Sequence, residues 1–204
     1  MTSMFFIMLV LFILTIVLLH GKMVDIENER KATQAQLDKI KEIEESVKNI
    51  NDQYFEYDSL YKRHTLKNIN ISFQTGSSNI SDIPQNQLVR LLEVGRSIKS
   101  FVDNATTKNS NVKYLLIIEG QSSKDYYHNN YELSYERALN LVKYWTTNHV
   151  IFNSHYCEVI ISGSGQASRF RVYPYIAGNK SNQRFVIHII PKPGIFEAGI
   201  QKQQ

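Results

Sequence analysis

Cysteine, proline and glycine are scarce in this chain of 204 residues, which contains one cysteine, four prolines and nine glycines. The single cysteine, Cys157, cannot form an internal disulfide, and the apolar-leaning run 157–162 around it favours a small buried strand residue. With so little proline and glycine and 43% apolar residues, the composition excludes a disordered chain. One ordinary folded domain with accessory segments is expected.

The chain also lacks a strong charge of either sign. Its 23 basic and 19 acidic residues give a formal net charge of +4, and the basic residues are scattered among the acids. This distribution does not favour a nucleic-acid partner, which would require a basic patch. The six histidines show no paired spacing on a helix face, and His155 beside Cys157 has no second ligand pair, so neither a metal nor a cofactor is predicted.

Enzyme motifs are missing as well. Gly163-Ser164-Gly165 is not a nucleophile elbow, because Ser162 and Gln166 stand where that motif has glycine. It does not begin a dinucleotide-binding loop either, because no third glycine follows at the required spacing. The sequence therefore predicts a protein without catalytic activity.

No charge interrupts the 16 residues from Met4 to Leu19, which are all apolar except Thr15. A secretory signal peptide normally has a basic start and a small-residue cleavage site, and an uncleaved anchor over residues 1–21 fits this segment better. As a helix the run would span roughly 24 Å, which is shorter than the roughly 30 Å core of a bilayer.

Proline and glycine are absent from 26 to 61, which predicts a helical stalk over 22–61. Its apolar residues recur at spacings of three and four, as in a coiled coil that pairs two copies of the chain: Ile40, Ile43, Val47, Ile50 and Tyr54. The alternative is a single amphipathic helix that lies on the domain.

The remaining pattern predicts an α+β domain over 62–192, followed by an unassigned tail, 193–204. Apolar runs or alternation predict four strands, at 69–73, 114–119, 157–162 and 185–190. Two helical segments are expected, one beginning near Asp82 and Pro84 and the other covering 130–148. This order suggests one mixed four-stranded sheet with two helices on one face.

Arg137 is the most informative charge in the chain. It lies on the flank of a helical apolar stripe, one turn from Leu133 and Leu141, where an arginine either reaches water or finds an anion. A ligand is one interpretation. A local salt bridge to Glu132 or Glu136 is the other.

The residues around Arg137 resemble a known family. The order strand, Glu-Gly, polar loop and Asn130-x-x-Leu133-Ser134-x-x-Arg137-Ala138 is similar to the signature of the OmpA C-terminal domain, a peptidoglycan-binding module shared with MotB-type motor stators. Gly163-Ser164-Gly165 and Asn182-Gln183-Arg184-Phe185-Val186 look like the family's Gly-x-Gly turn and its closing strand. The resemblance covers roughly 69–191, in the family's order, and implies an OmpA-like α+β fold.

In that family the pocket holds the diaminopimelate residue of the peptidoglycan stem peptide, a zwitterion. Where relatives have Gly-His-Thr-Asp, this chain has Gly120-Gln121-Ser122-Ser123, and Asp125 is the possible substitute for the missing aspartate. Without it, a charge-assisted hydrogen bond of about 1.5–3 kcal/mol to the ligand's ammonium group would be lost. The resemblance implies five peptidoglycan-binding residues: Arg137 as clamp, Arg184 as second arginine, Asn130, Asp125 and Ser123.

The sequence thus leads to two functional hypotheses. The first is a single-pass protein of the bacterial inner membrane whose periplasmic OmpA-like domain binds peptidoglycan, as a homodimer beside a multi-pass MotA-like partner in a motor-stator-like complex. The second is an OmpA-like adhesion or assembly module that binds a protein partner.

The first residues also resemble part of a family segment. Residues 1–6 look like the part of a MotB-type membrane helix that follows the ion-carrying aspartate of Tyr-Ala-Asp-Leu, which raises the expectation that such an aspartate lies upstream. A short anchor that thins the bilayer is the alternative.

Overall fold

The computed structural model describes residues 2–48, 50, 53–61, 63–108, 112–125, 127–166, 171–174 and 176–192, so the predicted tail 193–204 lies outside the described residues. The chain divides into two compact units, Met1–Ile43 and Glu44–Gln204. In chain order the helices and strands are α1 (Thr2–Lys48), β1 (Phe55–Asp58), β2 (Arg63–Leu66), α2 (Gln85–Lys108), β3 (Tyr114–Gly120), α3 (Asn130–Thr147), β4 (Cys157–Gly163) and β5 (Phe185–Pro191).

The first unit contains α1 as far as Ile43, and the early residues of this helix are apolar on every side. The apolar residues from Met4 to Leu19 are each 41–72% exposed. A helix that is apolar all round requires an apolar surrounding in place of water. This helix is long and apolar enough to cross a membrane, and it fits the predicted single-pass anchor.

The second unit is built on one mixed sheet. The strand order is β1-β2-β5-β3-β4. Strands β3 and β4 run parallel, and the other neighbouring pairs are antiparallel. The parallel pair is connected through α3, as a parallel connection requires.

One face of β3 is buried beneath the two helices of the second unit. Tyr114, Leu116 and Ile118 alternate along the strand and are at most 1% exposed. On their face, Phe101 of α2 packs edge-on against Tyr114 with 5.5 Å between the ring centroids, and α3 lies against Gly120. The predicted α+β class, with a mixed sheet and two helices on one face, is confirmed.

The sheet has five strands rather than the predicted four, and the predicted strand at 69–73 is wrong. The alternation in this segment does bury Phe73. However, side-chain amides take the place of a neighbouring strand: the Phe73 N–H donates to Gln183 Oε1 at 2.9 Å, and the Asn70 N–H donates to Gln87 Oε1 at 3.0 Å. The segment is half-buried without being part of the sheet.

The hairpin of β1 and β2 is absent from the sequence prediction, which places 55–58 in the helical stalk. The chain is helical as far as Lys48, but 55–58 form β1 and not part of a helix. The turn between the two strands is fixed by Asp58, which accepts hydrogen bonds from the N–H groups of Leu60 and Tyr61 and pairs with Arg63 at 3.2 Å. The Asp58 carboxylate thus provides acceptors for two backbone N–H groups of the turn.

The predicted coiled-coil seam is also corrected. Val47 is 4% exposed and Ile50 is 3% exposed within the second unit, so these two residues are core residues of their own chain. Tyr54, the last residue of the seam, donates its hydroxyl to Glu93 of α2 at 2.6 Å. The side chain of Ile43 lies outside the described part of the chain. The end of the seam therefore packs on the domain, as the alternative interpretation predicts.

We expect Ile50→Ala to lower the free energy of unfolding of the second unit by about 2–5 kcal/mol, because it opens a cavity in a packed core. Urea unfolding of the full chain measures this loss. The matched control is Leu37→Ala, since Leu37 is 47% exposed on α1 and its loss should cost no more than about 0.5 kcal/mol. Equal losses of stability in the two variants would contradict the burial of Ile50. A loss that depends on protein concentration would indicate that Ile50 packs between two copies of the chain.

Candidate functional site

The site is organised by the close contact between α3 and the end of β3. A Cβ atom at Gly120 would lie 2.0 Å from the Ser134 carbonyl oxygen, and one at Gly163 would lie 2.5 Å from the Tyr135 nitrogen. Only glycine permits this approach, because backbone atoms cannot move aside for a side chain. The two glycines hold the first half of α3 against the strand ends and thereby place Asn130 and Arg137.

Arg137 is buried rather than placed on the flank of α3. It is 2% exposed, and its Nε and Nη2 both donate to the Ser77 carbonyl oxygen, at 3.0 and 2.9 Å. Its guanidinium carbon lies 4.3 Å from the centroid of the Phe73 ring. The third nitrogen, Nη1, is buried without a hydrogen-bond partner in the described part of the chain. One side of the fork is thus fixed, and the donor on the other side has no acceptor among the described residues.

The Arg137 charge is not neutralised by an adjacent carboxylate. Burial lowers the pKa of Arg137 to about 10, while the charges of Asp125 and Asp82 oppose that shift, so the guanidinium remains protonated at neutral pH. Among the described residues no ion pair to Arg137 is found, and Glu136 instead accepts a hydrogen bond from Ser78 Oγ at 2.9 Å. The alternative of a local salt bridge is therefore wrong for Glu136.

Asp125 is brought back towards the helix by the loop after β3. Its carboxylate accepts hydrogen bonds from Asn130 Nδ2 at 2.8 Å, from the Tyr127 N–H at 3.0 Å and from Ser123 Oγ at 3.4 Å. Asn130 is 2% exposed, and its Oδ1 is buried with no partner among the described residues. A carboxylate and a free amide oxygen thus lie together near the buried arginine.

The structure brings together four of the five predicted site residues, which we call the Arg137 cluster: Ser123, Asp125, Asn130 and Arg137. One further member of the site has no signal in the sequence. Gln183 donates from Nε2 to Ser123 Oγ at 3.5 Å and accepts the Phe73 N–H through Oε1 at 2.9 Å. It thereby connects the aromatic ring beneath the guanidinium to the loop that carries Ser123.

Arg184, the fifth predicted residue, has a different environment. Its Nε donates to Gln121 Oε1 at 2.9 Å, and Gln121 Nε2 donates to Glu119 Oε1 at 2.9 Å. Glu119 in turn pairs with His188 at 3.1 Å. Gln183 thus contacts Ser123 of the cluster, whereas Arg184 contacts Gln121.

Glu119 gives the fold a predictable acid sensitivity. Burial alone would raise its pKa, but hydrogen bonds from His188 and Gln121 lower the pKa of Glu119 to about 2, below the usual 4.5. The folded state therefore binds this proton less readily than the unfolded state. The stabilisation is complete above about pH 4.5 and is lost as the pH falls towards 2.

We expect the wild-type chain to lose about 2–3 kcal/mol more stability than Glu119→Gln between pH 5 and pH 2. Urea unfolding across this pH range measures the difference. Glu56→Gln, at an exposed position of β1, serves as the control and should follow the wild-type curve. Parallel curves for the wild type and Glu119→Gln would show that this carboxylate has no special role.

An open groove of about 780 Å³ lies beside the site, between the Thr75–Ile80 segment and the second half of α3. Asn140, Lys143 and Tyr144 line it, whereas neither Arg137 nor Asp125 does. Asn140 also donates to the Ser78 carbonyl oxygen at 2.8 Å. The segment Ser77–Ser78 is thus held by α3 through both Arg137 and Asn140.

No protein-family model matches the chain, and no curated protein is found to be similar to it. Among solved structures, the periplasmic domain of Helicobacter pylori MotB is 14% identical, covers 71% of this chain and 83% of that chain, and has a TM-score of 0.43. An outer-membrane protein from Borrelia burgdorferi is 17% identical, with 67% and 95% covered and a TM-score of 0.43.

The peptidoglycan-associated lipoprotein from Burkholderia pseudomallei is 11% identical, with 61% of this chain and 88% of that chain covered and a TM-score of 0.38. At these identities and TM-scores the similarity says nothing about what this chain binds.

Proposed function

We propose that this chain is a membrane-anchored peptidoglycan-binding protein of the OmpA/MotB type. The observation that carries the proposal is the buried Arg137 guanidinium, whose Nη1 has no partner among the described residues and whose charge interacts with that of Asp125. An unpaired buried N–H group is costly unless a ligand completes it. The three sequence blocks that resemble the OmpA family supply the class of ligand.

The Arg137 cluster matches the charges of diaminopimelate. The ligand's carboxylate accepts from Nη1 of Arg137, and its ammonium group donates to the Asp125 carboxylate and to Asn130 Oδ1. In this arrangement Asp125 supplies the negative charge that Ser123 does not provide. Charge-assisted hydrogen bonds of this kind contribute about 1.5–3 kcal/mol each.

The rest of the proposal concerns location and assembly. We place the predicted anchor, residues 1–21, in the bacterial inner membrane as a single span, with the second unit in the periplasm, where the cell wall is accessible. The role of wall-anchoring subunit in a motor-stator-like complex rests on the sequence resemblance. A homodimer and a multi-pass MotA-like partner remain predictions from the sequence.

A second candidate function is an assembly module that keeps the fold and binds a protein partner. It is favoured by one observation, that Ser123 stands where the family has its aspartate. Asp125 carries the negative charge in the first proposal, so removal of this charge distinguishes the two.

We expect Asp125→Asn to weaken binding to isolated peptidoglycan sacculi by roughly tenfold or more, since one charge-assisted bond is lost. The amide oxygen of asparagine can still accept from Asn130 and Tyr127, so the fold should be kept. The full chain in lipid nanodiscs is sedimented with sacculi, and Asp103→Asn, an exposed change on α2, is the control. A wild-type chain that does not sediment with sacculi would contradict wall binding and favour the assembly module. If Asp125→Asn sediments as well as the wild type, Asp125 is not the substitute.

A further inference from the structure

A second cavity lies where β2 and β5 separate. The paired residues of these strands are His64 with Ile187 and Thr65 with Val186. The pairing of β2 with β5 ends at Thr65, and the segment 69–73, which is held by side-chain amides, follows. A space of about 370 Å³ remains between this segment and residues 180–185. Neither Arg137 nor Asp125 lines this space.

The charge of this cavity has one sign. Lys180 and Arg184 line it, and none of its lining residues is an aspartate or a glutamate. Hydroxyl groups add further hydrogen-bond donors, from Ser72 and Ser181. Cations with hydroxyl groups and without carboxylates form a surrounding that suits an anion.

Arg184 lies among other charged side chains. Burial lowers the pKa of Arg184, and the charges of Arg63 and Arg171 lower it further. Glu119 opposes that shift, but its carboxylate already pairs with His188. Because a guanidinium group stays protonated in proteins, Arg184 remains a cation at this cavity.

The walls of the cavity are partly apolar. Ile69, Ile71 and Phe185 contribute to the lining, and Ile71 and Phe185 are themselves buried. Apolar walls exclude water from part of the space, and charge interactions are stronger where water is excluded. A compact anion would thus be held more firmly here than beside two lysines on an open surface.

We propose that this cavity binds a compact oxyanion, either a carboxylate or a phosphate group, between Arg184 and Lys180. Gln183 lines this cavity and also contacts Ser123, but neither cation of the cavity belongs to the Arg137 cluster, and the proposal does not depend on peptidoglycan binding. It also gives Arg184 a role that the position of its side chain supports.

The test is a titration of the isotope-labelled full chain in lipid nanodiscs with inorganic phosphate and, separately, with sodium acetate, with ionic strength kept constant by chloride. We expect the backbone amide signals of Ser72, Ser181 and Arg184 to shift and to saturate with at least one of the two anions. The anion that binds more tightly identifies the head group. Arg184→Gln and Lys180→Gln should each weaken that binding at least fivefold, whereas Lys143→Gln, at the separate groove beside α3, should leave it unchanged.

The absence of a saturable shift with either anion would overturn the proposal, as would the same affinity in the wild type and in Lys180→Gln. Lys180 is exposed, so its replacement tests the site even if Arg184→Gln fails to fold. Sedimentation with sacculi separates the two proposals. If Arg184→Gln abolishes sedimentation while Asp125→Asn does not, Arg184 belongs to the wall-binding site and the separate anion site is wrong.

Discussion

Trp145→Ala is expected to destabilise the second unit by about 3–5 kcal/mol, a large part of the 5–15 kcal/mol that typically stabilises a domain. Trp145 is 1% exposed on α3, and its indole N–H donates to the Leu91 carbonyl oxygen of α2 at 2.8 Å. A Cβ atom at Gly95 would lie 2.8 Å from the indole, so α2 closely approaches this ring. Alanine would leave a cavity between the two helices and would remove this hydrogen bond.

The loss is measured by urea unfolding followed by circular dichroism, because Trp145 is the only tryptophan and its fluorescence disappears with the substitution. Tyr131→Ala is the matched control, since Tyr131 is 55% exposed on the same helix and its removal should change stability by no more than about 0.5 kcal/mol. A loss below about 1 kcal/mol for Trp145→Ala would mean that the ring does not connect α2 and α3 as described.

The elements with strong apolar periodicity could be predicted from the sequence. The period of 3.6 residues predicts α3, and Leu133, Ala138, Leu141 and Trp145 are indeed buried. The short apolar run predicts β3, which ends one residue later than expected, at Gly120. In both cases the spacing of apolar residues within the element itself indicates which side chains are buried, so the prediction does not require knowledge of the elements that pack against it.

The hairpin of β1 and β2 could not be predicted in this way. Both strands are four residues long and mix charged, aromatic and polar side chains, so neither shows a period. They become strands because β5 provides a hydrogen-bonding edge for β2, and that edge lies more than a hundred residues further along the chain. Val47 and Ile50 illustrate the same limit, because apolar residues at helical spacing fit a second copy of the chain and the chain's own domain equally well.

The site was predictable where a residue type itself carries the chemistry. Arg137 and Asp125 have charges that need a partner, and both belong to the Arg137 cluster. The role of Gln183 could not be predicted, because the sequence does not show whether Gln183 or its neighbour Arg184 contacts the cluster. The two residues lie directly before β5, and their contacts depend on how the chain enters this strand.

Arg137→Lys is expected to weaken binding of a diaminopimelate-containing muropeptide by roughly ten- to a hundredfold, because lysine keeps the charge and loses the planar fork. In the wild type Nε and Nη2 are occupied by the Ser77 carbonyl oxygen, which leaves Nη1 for the ligand. A single ammonium group cannot reproduce both contacts with the same directions. Isothermal titration of the full chain in nanodiscs measures the change.

Two comparisons keep this prediction testable. Arg96→Lys, at an exposed position of α2, makes the same chemical change away from the cluster and should leave the affinity unchanged. Because Arg137 is buried, the urea midpoint of Arg137→Lys is measured in parallel, and its affinity is interpreted only at temperatures where the variant is folded. Affinity equal to that of the wild type in a folded Arg137→Lys would contradict the clamp.

The most direct measurement of wall recognition compares two muropeptides that differ only in the third residue of the stem peptide, which is diaminopimelate in one and lysine in the other. Lysine lacks the side-chain carboxylate that Arg137 would bind, while both residues keep the ammonium group that Asp125 would bind. Titration of the wild-type chain should show roughly ten- to a hundredfold tighter binding of the diaminopimelate form, as expected for the loss of one charge-assisted contact. Equal affinity for the two muropeptides, or no binding of either, would contradict recognition of the cell wall by the Arg137 cluster.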